Sequence, residues 1–161
     1  LSEFSLRDQI AVMLRPLEHR ATGRGLRLEW RIGEDVPDFL RGDWGRLRQI
    51  LLNLIGNAIK FTDRGRVVLD IEVESASASE AWLRFTVTDT GIGISPEDQD
   101  RIFAPFTQVD ASTSRLHSGA GLGLAIVHNL VTNVLKGEVH LRPGLQKGCS
   151  FLVTFPLVLP D

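Results

Sequence analysis

One cysteine in 161 residues, Cys149, leaves no partner for an internal disulfide, so the chain fits a reducing compartment in which that residue is a small strand side chain. No apolar run approaches the roughly 20 residues that a membrane span requires. The opening LSEFSLRDQIAV also lacks the basic-then-apolar build of a signal peptide. A cytosolic setting is therefore expected. A basic excess is missing too: the formal net charge is −2, which gives nucleic acid no electrostatic footprint. Neither an internal repeat nor a break in composition marks a second domain. What remains is an ordinary globular balance, 43% hydrophobic and 24% charged, in a chain long enough to bury a continuous core without metal or disulfide. A single domain over residues 1–161 is expected.

Periodicity alternates helices and strands. Residues 7–22 read as an amphipathic helix with Ile10, Leu14 and Leu17 at helical spacing, closed by Thr22-Gly23. A strand follows at about 26–32, where Leu26, Leu28, Trp30 and Ile32 alternate with charge. Pro37–Gly42 reads as a connector, and Asp43 as the N-cap of the next helix. The Arg-Gly-Asp triplet at 41–43 matches a cell-adhesion tripeptide, but chance plus helix capping is the better reading in a cytosolic chain. Val67–Glu74 and Trp82–Asp89 form a hairpin with SASASE as its solvated tip. A helix over about 121–135 precedes strands near 137–142 and 149–157.

Three segments carry chemistry. On the helix RLRQILLNLIGNAIKF, at 100° per residue, Arg46, Gln49, Asn53, Asn57 and Lys60 fall within roughly 80° of one another, opposite a broad stripe of Leu and Ile. An ordinary solvated face favours Glu and Lys, whereas two asparagines at i, i+4 are poor helix formers there. An asparagine oxygen is a neutral, hard ligand that can hold Mg²⁺ beside a triphosphate without adding repulsion, with Lys60 as phosphate counter-charge. The box DTGIGI at 89–94 follows an alternating strand, so Asp89 is expected to be a buried or half-buried carboxylate in need of a donor. The exocyclic amine of adenine is one, whereas guanine presents a carbonyl there. Gly91 and Gly93 allow close backbone approach. A capped turn would explain this box if it stood alone. The box GAGLGLAI at 119–126 opens a helix, where Gly119, Gly121 and Gly123 expose backbone N–H groups to an anion. No Lys-Ser/Thr pair follows those glycines, which separates the box from a P-loop, and no strand runs straight into it, which separates it from the dinucleotide fold. Between the boxes, Ala104–Ser118 is a long aperiodic stretch that reads as a lid.

The order NLIGNAIKFT, DTGIGI, RIFAPFTQVD, SRLHSGAGLGLAI and KGCSF closely resembles the ATP-binding catalytic domain of sensor histidine kinases, in the superfamily shared with gyrase, Hsp90 and MutL, over about Phe4 to Phe155. The resemblance implies a Bergerat-type α/β fold: a two-layer sandwich, its mixed, mostly antiparallel sheet covered on one face by about three helices. It implies ATP and Mg²⁺ as cofactors, with Asn57 as metal ligand and Asn53 nearby, Lys60 at phosphate and Asp89 at adenine. Gly119, Gly121, Leu122 and Gly123 form the phosphate cradle, Phe103 belongs to the lid anchor, and Arg115 sits where a lid cation reaches the terminal phosphate. The wording PFTQVDASTSR looks most like hybrid kinases, whose chain continues into a receiver domain. The chain departs from the family pattern at Ser118-Gly119-Ala120, at Lys136, which replaces the first glycine of a common pair, and at Gln146.

The family phosphorylates a histidine followed by an acidic residue and then a proline, and none of His19, His117, His128 and His140 has that context. The expected partners are thus a separate dimerisation domain bearing the acceptor and a downstream receiver, with any membrane attachment through other parts of the whole protein. Phosphoryl transfer asks mainly for positioning and charge neutralisation, which suits a site without an internal base. Two alternatives stay open: a regulatory module that binds nucleotide without productive transfer, supported by the altered second glycine box, and a self-contained ATPase, against which the kinase-type lid motif argues.

Overall fold

Ser5 opens the first helix by accepting a hydrogen bond from the Asp8 amide at 3.3 Å, the usual remedy for unsatisfied N–H groups at a helix start. A computed structural model describes residues 2–62, 64–90, 126–143 and 149–159 of the chain. Its elements are β1 (Ser2–Ser5), α1 (Leu6–Gly23), β2 (Arg27–Ile32), β3 (Phe39–Gly42), α2 (Trp44–Phe61), β4 (Arg66–Ala76), β5 (Glu80–Asp89), a third helix α3 described over 126–134, β6 (Glu138–Pro143) and β7 (Cys149–Val158). The last turns of α3, Leu130–Val134, are π-helical.

The strands form one sheet in the order β1-β3-β7-β5-β4-β2, with β6 beside β3 on the same edge of β7. Among the described residues only β2 and β4 pair in parallel, and every other pairing is antiparallel. Alternation divides the sheet into a covered and an uncovered face. Val67, Leu69 and Ile71 of β4, Ala81, Leu83, Phe85 and Val87 of β5, and Phe151, Val153, Phe155 and Leu157 of β7 enter one core with the buried stripes of α1 and α2. Phe85 and Phe155 stack there with ring centroids 5.2 Å apart. Charge occupies the opposite face, where Arg31 meets Asp70 and Arg84 meets Glu72, each at 2.8 Å. This is the expected two-layer sandwich with its mixed, mostly antiparallel sheet. Among the described residues no helix is long and apolar enough to cross a membrane.

Two short strands depart from the sequence reading. The segment read as a connector contains β3, which pairs with β1 through Phe4 opposite Leu40 and reaches β7 only where Arg41 faces Val158. Four-residue strands offer too few alternations to be told from loop. Asp43 caps α2 as expected, its carboxylate accepting from the Arg46 amide at 3.1 Å, so the Arg-Gly-Asp triplet is a strand end followed by a helix cap.

The loop before β3 is pinned to the start of α1. Asp38 accepts from the Ser5 hydroxyl at 2.7 Å and the Arg7 amide at 3.0 Å, while the Arg7 guanidinium donates to the Val36 and Gly33 carbonyls at 3.1 Å. Burial by itself would raise the Asp38 carboxyl, but the Arg7 amide, the Ser5 hydroxyl and the Arg7 guanidinium outweigh it and hold its pKa below the ordinary value. A folded pKa below the unfolded one gives stability that is complete above the unfolded carboxylate range and is lost as pH falls through the folded value. Asp38→Asn is therefore expected to cost about 1–2 kcal/mol near neutral pH and progressively less below about pH 4. Urea unfolding across that range measures it; a cost independent of pH would mean that the carboxylate charge contributes nothing.

Candidate functional site

The polar stripe of α2 follows from its cap and its core. With Leu47, Ile50, Leu51, Leu54, Ile55, Ala58 and Ile59 all buried against the sheet, rotation of the helix is fixed. Asn53 and Asn57 are then half-buried and Lys60 is exposed in the last turn. The Nδ2 atom of Asn57 is buried and has no hydrogen-bond partner among the described residues. An unpaired buried polar atom costs free energy, and the Oγ1 atom of Thr62 at the end of the same helix shares that condition. The two ends of a carboxamide are exchanged by a half-turn, so the same position can offer an oxygen. Among the described residues no three His, Cys, Asp or Glu side chains cluster as a metal cage. A magnesium ion held by one or two protein oxygens plus phosphates and water suits such a site.

Asp89 ends β5, opposite Val67 on one side and Cys149 on the other. It continues the row of Ala81, Leu83, Phe85 and Val87, and it is half-buried where they are buried. It lines a concavity of about 190 Å³ with Arg31, Arg66, Val68, Asp70, Thr88 and Thr90. A larger groove of about 410 Å³ between α1 and α2 contains none of Asn53, Asn57, Lys60 and Asp89.

The turn between α2 and β4 joins the two halves of the site, and sequence reasoning passed over the residues that hold it. Thr90 donates to the Arg64 carbonyl at 2.8 Å and accepts from the Arg66 amide at 3.3 Å. Gly65 has φ +107, and a Cβ there would run into the Thr90 hydroxyl, so only glycine fits. From the other side the Arg27 amide donates to the Gly65 carbonyl at 3.1 Å, and Arg24 donates to the Lys60 and Thr62 carbonyls at 3.2 Å each. The end of α2 is thereby tied to the start of the first glycine box. An arginine after a helix-closing glycine carries no periodic signal; Thr90 could have been suspected from its place beside Asp89.

The helix α3 follows the second glycine box and packs next to α2, with Val127 and Val131 in the core. Gly91, Gly93, Phe103, Arg115, Gly119, Gly121, Leu122 and Gly123, and with them the lid, lie outside the described residues. Of the four histidines, His19 is exposed on α1, His128 is exposed on α3 and His140 lies 3.2 Å from Glu138; His117 lies outside the described residues.

A single mixed sheet with helices on one face is the fold of a histidine kinase ATP-binding domain. Residues 42–159 match the histidine kinase-, DNA gyrase B-, and HSP90-like ATPase family, and the chain belongs to it. It is 40% identical over 160 residues to the sensory/regulatory protein RpfC of Xanthomonas campestris, covering 99% of this chain and 22% of RpfC. It is 34% identical over 159 residues to hybrid signal transduction histidine kinase B of Dictyostelium discoideum, covering 99% of this chain and 8% of that protein. The full-length crystal structure of ShkA in complex with AMPPNP matches with a TM-score of 0.83 at 34% identity, over 100% of this chain and 32% of that one. The chain thus spans between about a tenth and a third of each of these proteins.

Proposed function

We propose that this domain binds Mg-ATP and presents its γ-phosphoryl group to a histidine on a separate dimerisation domain, within a hybrid sensor kinase whose receiver domain accepts the phosphoryl group next. The observation that carries this reading is the half-buried Asn57, whose Nδ2 atom has no hydrogen-bond partner among the described residues, on the helix that also bears Asn53 and Lys60. Bound magnesium would neutralise phosphate charge and orient the terminal group. Asn57 offers its oxygen to the metal, supported by Asn53, and Lys60 places an ammonium at the end of α2 for the phosphates. Asp89 accepts from the adenine amine, while Gly91 and Gly93 admit the base to the backbone. The phosphate role is assigned to Gly119, Gly121, Leu122 and Gly123, the lid anchor to Phe103 and the terminal-phosphate contact to Arg115, on the resemblance alone. The proton on the attacking imidazole and the nucleophile itself belong to the partner domain, so this chain contributes position and charge.

The test is transfer. Incubated with radiolabelled Mg-ATP, the chain should stay unlabelled; with the matching dimerisation domain added, acid-labile phosphate should appear on that partner, slowly, since an untethered acceptor lacks the effective concentration of the intact kinase. Stable label on this chain would overturn the separate acceptor. An unlabelled partner at saturating Mg-ATP would favour a regulatory nucleotide-binding module, the role to which Ser118-Gly119-Ala120 in the second glycine box points.

A further inference from the structure

We infer that Arg24 is a positioning residue for the nucleotide site, fastening the last turn of α2 so that Asn57 and Lys60 present their polar ends in a fixed direction. This rests on the proposed roles of those two residues. The last carbonyls of a helix have no partners within it. Arg24 closes two helices at once: its main-chain N–H bonds the Ala21 carbonyl at 3.0 Å and ends α1, while its guanidinium donates to the Lys60 and Thr62 carbonyls at 3.2 Å and ends α2. One of those carbonyls belongs to Lys60 itself, and Asn57 sits three residues earlier, so a fraying or rotation of this turn would redirect both side chains. A cation at a helix C-terminus also meets the negative end of the helix dipole. Thr62, the C-cap, is fully buried in an extended conformation, so its carbonyl lies beyond the helical hydrogen-bond ladder and depends on such a donor. On the far side Thr90 holds the same α2–β4 turn. The turn is therefore clamped between α1 and β5, the elements on either side of it in space, and Arg24 supplies the clamp nearer the polar stripe.

The readout is the factor by which Mg²⁺ strengthens ATP binding, measured by calorimetric titration of ATP with and without Mg²⁺ in wild type, Arg24→Ala, Arg24→Lys, Asn57→Ala and the Arg24→Ala/Asn57→Ala pair. Arg24→Ala should reduce that factor by about tenfold, the scale of losing charge-assisted hydrogen bonds. Arg24→Lys should recover only part of it, because an ammonium can meet a carbonyl but lacks the planar fork of the guanidinium, and Arg24→Ala should change nothing further once Asn57 is gone. An unchanged factor in folded Arg24→Ala overturns the positioning role while leaving the nucleotide site intact. An unchanged factor in Asn57→Ala overturns the site itself. Should Arg24→Ala fail to fold, Arg24→Gln decides on the same factor, and a value equal to wild type overturns the inference.

Discussion

Asn57→Ala is expected to leave ATP binding nearly indifferent to Mg²⁺ and to slow transfer to the acceptor domain by about 10²–10³, the scale for removing one group that stabilises developing charge. The fold should not suffer. Among the described residues the Nδ2 atom of Asn57 has no hydrogen-bond partner, so its removal breaks no hydrogen bond of that atom and relieves a buried unpaired group. Alanine is also the better helix former in the interior of α2, by about 0.5 kcal/mol. Thermal unfolding of the variant should therefore match or exceed wild type while transfer collapses. A structural asparagine would behave in the opposite way, losing stability and keeping the magnesium dependence, and that pair of outcomes would remove Asn57 from the site.

What could be read from the sequence divides along physical lines. The helices α1 and α2 and the β4–β5 hairpin are long and strongly periodic, and their cores lie where the pattern puts them; α1 runs one residue further at each end than the expected 7–22. The cap at Asp43 was legible because a capping side chain acts on backbone three residues away. β1 and β3 were not, because each is defined by pairing with a strand about 35 residues distant in sequence. The same holds for the clamp on the end of α2: Arg24 reaches across |i−j| = 36 to Lys60, a distance no local pattern encodes. The π-helical end of α3 depends on the Leu135 amide bonding the Leu130 carbonyl at 2.8 Å, again with no signature in residue type. The aspartate and asparagines stand out in the sequence for another reason: a carboxylate ending an apolar strand and two amides on one helical stripe are costly placements for the fold alone.

Gly137→Ala is expected to be among the most destabilising single changes in the chain, by about 3 kcal/mol or more. A Cβ at this position would run into the Thr154 carbonyl oxygen and lie 2.6 Å from the Phe155 Cβ and 2.9 Å from its Cα. Two of those three atoms are backbone, so no rotamer change relieves the clash; β7 itself must move. It is poorly free to do so, since β7 is paired with β5 from Cys149 to Val158 and Phe155 is fully buried against Phe85. The Gly137 amide also closes α3 by bonding the Val131 carbonyl at 2.7 Å, so a shift of residue 137 away from β7 loosens the helix that follows the second glycine box. The neighbouring position gives the contrasting case. Lys136 is non-glycine at φ 60, a left-handed conformation that costs an L-residue about 1–2 kcal/mol. Lys136→Gly, which restores the glycine pair common in the family, should be neutral or stabilising by up to about 1 kcal/mol after the extra flexibility of the unfolded chain is counted. Urea unfolding of the two variants side by side checks both signs. If Gly137→Ala stays within about 1 kcal/mol of wild type, too small for a backbone clash in a packed sheet, then β7 yields at Thr154 and the close approach is not what requires glycine there.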